Sequence, residues 1–237
     1  MLHEPWPFDK QILAYEHAGC FKGVVDNMLE NRFKYLLSHL PLSTRYGEVT
    51  PYLRYSGEWL KKRFDARLIL LVRDGRDYVV SAGQRGIFEA DHPQLPIVPR
   101  DDDPYAHRWN NMCYFEKVCW YWMHTHNSVK DQVDDFVQFE QILADYGYFK
   151  NKILDALELS VSEEDWQRAV TQPVNQSRRS LKETAKKWVK QKHTQPAVFE
   201  TGYIHSKDKW SSEEYRQFEE ICGPIMMDLG YSLDNHE

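Results

Sequence analysis

Apolar residues change their spacing several times along this chain, and each change marks an element. Val24, Val25, Met28, Leu29, Phe33, Leu36 and Leu37 recur at three- and four-residue intervals, which predicts one amphipathic helix over Lys22 to Leu40. Leu68, Ile69, Leu70, Leu71 and Val72 then form an unbroken apolar run, the pattern of a strand buried on both faces of a parallel sheet. The run stops at Arg73-Asp74-Gly75-Arg76-Asp77, where one glycine and four charges forbid further burial. Tyr78, Val79, Val80 and Ala82 read as the first turns of a helix, with Asp77 as its N-cap or first-turn acid.

Gln84 to Asp103 is rich in Pro, Asp and Gly and reads as a long surface loop. Loops of that length inside compact domains are often lids or substrate-contacting segments. From Pro104 to Asn127 the pattern is helical and aromatic, with Tyr105, Trp109, Tyr114, Phe115, Trp120, Tyr121 and Trp122. A helix apolar nearly all round is a buried one, and that reading outweighs an aromatic substrate platform. Asp134 to Leu143 reads as a short strand entering a helix, followed by a helical segment from Lys150 to Leu159. Ser211 or Ser212 with Glu214 opens a closing helix as a capping signal, and Gly230 ends it as a C′ glycine. With no internal repeat and no linker, the expected fold is α/β: residues 1–237 as a single domain on a short parallel sheet flanked by helices.

Composition narrows the classes. At 237 residues, with 42% hydrophobic residues and a formal net charge of −6, the chain suits one sizeable soluble domain that needs neither disulfides nor metals. A mildly acidic balance argues against a dedicated nucleic-acid binder, which needs a basic excess. No run approaches the roughly 20 apolar residues that span a bilayer. The opening MLHEPWPFDKQ lacks the basic and apolar regions of a signal peptide, so a cytoplasmic location is expected. Cys20, Cys113, Cys119 and Cys222 lack the spacing of a disulfide framework or zinc site and are expected to be mostly buried thiols. His107, His124 and His126 have no ligand partners at metal spacing and are expected at helix ends or surfaces.

The charged turn is the candidate site. In open α/β sheets ligands bind beyond the carboxyl ends of strands, and helix amides beside an arginine favour an anion. Arg73 at the strand exit and Ser81 eight residues later could close on one phosphate if the turn folds the helix back. The competing reading is a self-paired Asp/Arg cluster in a solvated loop. Gly19 and Gly23, in HAGCFKGVVD, do not make a phosphate loop: the G-x-x-x-x-G-K-[ST] pattern and an aiming strand are both missing.

LVRDGRDYVVS resembles the 3′-phosphate signature of sulfotransferases that use 3′-phosphoadenosine 5′-phosphosulfate (PAPS), the RDGR form being most similar to tyrosylprotein and related bacterial members. The resemblance implies that Arg73 and Ser81 hold the 3′-phosphate, with Arg76 as a supporting cation. Tyr46 to Leu53 resembles the G-[DE]-K-T-P segment of bacterial and carbohydrate-type sulfotransferases, followed by a helix here spanning Tyr55 to Phe64. The family's lysine is Val49 in this chain, and valine cannot stabilise charge on a bridging oxygen. Glu48 is then a candidate base, against the alternative of an acid beside a turn. Ser38-His39-Leu40-Pro41 resembles the T-H-L-P string whose histidine is the base, against the alternative of a helix-end capping histidine.

Asp134 to Leu143 is similar to a family v-x-Y-E-d-L signature, with Phe139 in place of tyrosine and Glu140 as a structural acid. The C-terminal stretch is similar as well, with Gly202 in the loop that touches the 3′-phosphate and Trp210, Met227, Leu229, Gly230 and Tyr231 in their places. The first, 5′-phosphosulfate-gripping loop of the family is not found, which implies a chain beginning downstream of it or a different handling of the sulfonate. Arg178, Arg179, Lys182, Lys186, Lys187, Lys190 and Lys192 form a basic patch, by default a solvated face and alternatively a cover for the nucleotide or a recruiter of an acidic acceptor.

The implied function is sulfuryl transfer from PAPS, without a metal, to a hydroxyl or amine on a small-molecule, carbohydrate or peptide acceptor. The alternative is an inactive sulfotransferase-like remnant that keeps a nucleotide-binding or interaction role. A nucleoside-triphosphate kinase is ranked last because its P-loop is absent. The sequence sets neither the acceptor nor the oligomeric state.

Overall fold

Helix α1, Lys22–Ser38, buries Val25, Leu29, Phe33 and Leu36 along one stripe, while Val24 and Leu37 from the same periodic set face outward. In the computed structural model, which describes residues 22–41, 45–51, 53–83, 98–171 and 204–233, this stripe meets helix α2, Gly57–Phe64. Phe33 lies 4.9 Å from Phe64 and 5.9 Å from Trp59, ring centre to ring centre. Arg63 forks onto Glu30 at 3.0 and 3.1 Å across the two helices. Helix α2 starts two residues after the expected Tyr55.

Strand β1, Ile69–Val72, pairs with β2, Asp135–Gln138, in a short two-stranded parallel sheet. Asp134 sets the register: its amide donates to the Leu68 carbonyl at 2.9 Å, its carboxylate accepts from the Leu68 amide at 2.7 Å and meets Lys61 at 2.8 Å. The expectation of burial on both faces is corrected. Leu70 and Val72 join the main core and Leu68 the α1–α2 cluster, whereas Leu71 is 43% exposed. Alternation explains this, since the described helices cover only the face to which the even-numbered residues point.

Helix α3, Gly75–Gly83, packs on α4, Tyr114–Val129, and on α8, Ser212–Asp228, around Val79, Trp122, Phe218 and Met226. Gly75 sits at a close approach. A Cβ there would stand 3.0 Å from the Met226 sulfur, 3.1 Å from Phe218 and 3.2 Å from Trp122. The expected Pro104 to Asn127 helix is divided into a 3-10 turn, Ala106–Asn111, and α4, because Cys113 adopts an extended backbone and donates its amide to Glu116 at 2.8 Å. Phe115, Trp120, Tyr121 and Trp122 are buried as the pattern predicts. Ser211 and Glu214 form a capping box at the start of α8. At its end Gly230 has φ 77°, and the Tyr231 and Gly230 amides return to the carbonyls of Met226 and Met227, a Schellman closure.

Contacts divide the chain into two compact units, Met1–Val137 with Gly202–Glu237, and Gln138–Thr201. The second holds α5, Phe139–Ala144, then α6, Tyr146–Phe149, a π-helical turn, Lys150–Asp155, and α7, Glu163–Thr171. Trp166 fastens that unit, donating to the Ile142 carbonyl at 2.9 Å. The class is α/β with helices dominating. No helix among the described residues is long and apolar enough to cross a membrane.

Candidate functional site

The β1–α3 turn is built from the strand end outward. Val72 is fully buried, and the Tyr231 hydroxyl donates to its carbonyl at 3.2 Å, so the exit of β1 is held from the C-terminal side. Asp74, itself buried, accepts the Arg76 amide at 2.8 Å and caps α3, which therefore begins three residues before Tyr78. Asp77 is a first-turn acid, not the cap, and pairs with Lys207 at 3.0 Å. Arg76 lays its guanidinium on Asp74, Nε at 3.1 Å and Nη2 at 2.7 Å, and this bonding pushes its pKa above the ordinary value against the effect of burial. Arg76, the expected supporting cation, is paired within the turn, and the same carboxylate occupies the helix N-terminus.

Arg73 differs. It is exposed, and among the described residues it has no hydrogen-bond or ion-pair partner. Ser81, half-buried, stands seven residues beyond Asp74 and four beyond Asp77, on the face of α3 that turns away from Val79. Arg73 and Ser81 thus belong to one strand–helix junction. Gly202, the basic patch from Arg178 to Lys192 and most of the Gln84 to Asp103 loop lie outside the described residues.

Glu48 and His39 belong elsewhere, on the α1 cluster, and no hydrogen bond or ion pair joins either to Arg73. Both Glu48 oxygens accept from Arg32 Nη2, at 2.7 and 2.8 Å, and the Tyr46 hydroxyl donates at 2.6 Å. This carboxylate clamps the segment at 45–50 onto α1. His39 follows the last turn of α1, with Nδ1 2.7 Å from the Tyr35 carbonyl and 3.0 Å from Ser38 Oγ, the geometry of the helix-end alternative. Val49 is 95% exposed.

Sequence reasoning missed a polar cluster on α4. Arg54, half-buried, donates from Nη2 to the Tyr121 hydroxyl at 3.0 Å and from Nη1 to Thr125 Oγ1 at 3.5 Å. Its guanidinium carbon lies 5.6 Å from the ring centres of both Tyr55 and Tyr121. Beside it His126, in the last turn of α4, is at a helix end as one expected alternative had it but is buried there, with Nδ1 2.7 Å from the Trp122 carbonyl. Burial, aided by the charge of Arg54, pushes His126 down to about 4, so the imidazole is neutral near pH 7. The i, i+4 pair Tyr121 and Thr125 was visible as one helix face; that Arg54 lies against it depends on tertiary packing.

Cys119 and Cys222 are buried thiols, and Cys222 donates to the Cys119 carbonyl at 3.4 Å. Burial raises the Cys119 thiol well above its ordinary pKa, which makes it unreactive. Cys113 is exposed. No group of three or more His, Cys, Asp or Glu side chains that could hold a metal occurs among the described residues. No protein-family model, curated protein or solved structure matches this chain.

Proposed function

We propose that this chain is a PAPS-dependent sulfotransferase of the P-loop-NTPase-like fold, with the β1–α3 turn holding the 3′-phosphate of the donor. One observation carries the reading: of the four charges in the turn, Arg76 is bound to Asp74 and Asp77 to Lys207, leaving Arg73 uncommitted at the end of a strand. A guanidinium there, with the Ser81 hydroxyl on the adjoining helix, offers charge-assisted donors to a phosphate dianion. Transfer requires an acceptor oxygen or nitrogen to attack sulfur as the bond from sulfur to the 5′-phosphate oxygen breaks. The acceptor proton goes to a base, and the bisphosphate leaves with the charge. Both base candidates are engaged, Glu48 by Arg32 and Tyr46 and His39 through Nδ1 by the Tyr35 carbonyl.

Arg73→Ala is expected to weaken adenosine 3′,5′-bisphosphate binding at least tenfold, the loss of about 1.5–3 kcal/mol from a charge-assisted contact. Calorimetry giving the same affinity for the variant and the parent contradicts the site. A second reading, a nucleotide-binding remnant that transfers nothing, is favoured by the clamped Glu48 and by the exposed Val49 where the family has lysine. Labelled PAPS with a panel of hydroxyl and amine acceptors separates the two: bound nucleotide without any labelled product supports the remnant.

A further inference from the structure

We propose that Arg54, Tyr121 and Thr125 form a second anion site, which takes a tetrahedral oxyanion such as sulfate or the phosphate of a monoester. Arg54 is surrounded by groups that bind a cation without neutralising it. A guanidinium has five N–H donors, and among the described residues two neutral hydroxyls, those of Tyr121 and Thr125, accept from it. Its Nε is buried and makes no hydrogen bond. The titratable groups that act on its charge are Tyr121 from α4, Tyr55 from its own segment and Tyr78 from α3, and His126 beside it is neutral.

None of these is a carboxylate, in contrast to Arg32, Arg63 and Arg76, each of which faces an acid. A cation largely removed from water is retained at high cost unless a counter-charge joins it. Arg54 keeps part of its surface exposed, whereas Tyr121 and Thr125 beside it are buried. The remaining Nη N–H groups and the Thr125 hydroxyl are donors of the kind that sulfate and phosphate oxygens accept from.

Tyr78, which acts on the Arg54 charge, belongs to α3 and precedes Ser81 by less than one turn. The inference does not depend on nucleotide binding at Arg73, and the test keeps the two apart. Melting temperatures are measured in sodium sulfate and in sodium chloride of matched ionic strength, for the parent, Arg54→Met, Thr125→Val and Arg73→Ala. Sulfate stabilises most proteins by exclusion, so the readout is the difference between parent and variant. At about tenfold excess over Kd the parent should gain about 3–6 °C beyond Arg54→Met, Thr125→Val should show a smaller gain, and Arg73→Ala should keep the full gain.

An equal sulfate response in the parent and Arg54→Met overturns the site, as does a constant loss of stability in Arg54→Met at every sulfate concentration, the mark of a purely structural arginine. Repeating the series with adenosine 3′,5′-bisphosphate identifies the source of the oxyanion. Protection lost in Arg54→Met assigns the site to a nucleotide phosphate; protection lost only in Arg73→Ala leaves Arg54 with the free ion.

Discussion

His126 and Asp74 show how burial turns a titratable side chain from a reagent into a structural part. His126 titrates near 4 in the folded chain because burial opposes its charged form. Its folded pKa is below the unfolded one, so the unfolded chain binds the proton more tightly and stability falls as pH falls. The contribution is complete above about pH 6.5 and is lost between about 6.5 and 4, roughly 3 kcal/mol in total. Urea midpoints across that window should drop in the parent and flatten in His126→Leu; parallel profiles would contradict the assignment. Asp74 caps α3 and neutralises Arg76, so Asp74→Ala should cost about 1–3 kcal/mol in chemical denaturation. A change under 0.5 kcal/mol would remove Asp74 from that role.

Elements divide by how local their determinants are. The limits of α8 were legible because Ser211, Glu214 and Gly230 act within a turn of the ends they fix. The end of β1 was legible for the same reason, since glycine and charge stop an apolar run, but Asp74 and Gly75 stay buried, which the pattern did not indicate. The start of α3 was legible only in part: of the two roles open to Asp77 it takes that of first-turn acid, and the cap is Asp74, whose carboxylate accepts the Arg76 amide. The exposure of Leu71 was not legible either, because an apolar run does not say how many strands and helices cover it.

Gly75 is the clearest case of an element fixed by its neighbours. Read alone it only helps to end the apolar run, yet a Cβ there would crowd Met226, Phe218 and Trp122. Gly75→Ala should therefore destabilise by about 1–3 kcal/mol despite the better helix propensity of alanine. A variant as stable as the parent would show that α4 and α8 yield there.

At the scale of the whole molecule, the candidate residues separate into groups that the linear motif order had joined. Arg73 and Ser81 sit at the junction packed on the α4–α8 core, whereas His39 and Glu48 belong to the α1–α2 cluster. Arg54, named by no motif, lies against α4. Motif order is a one-dimensional record, and it cannot report which side chains are consumed by pairing. Glu48 illustrates this, because its partner Arg32 lies sixteen positions away on α1 and carried no signal of its own.

The central claim is that Arg73 reads a 3′-phosphate. Calorimetric affinities of adenosine 3′,5′-bisphosphate and adenosine 5′-monophosphate, measured on the parent and on Arg73→Ala, test it most directly. The account predicts that the parent prefers the bisphosphate by at least about tenfold and that the preference collapses in the variant. Equal affinities in the parent, or a preference that survives the substitution, would contradict it.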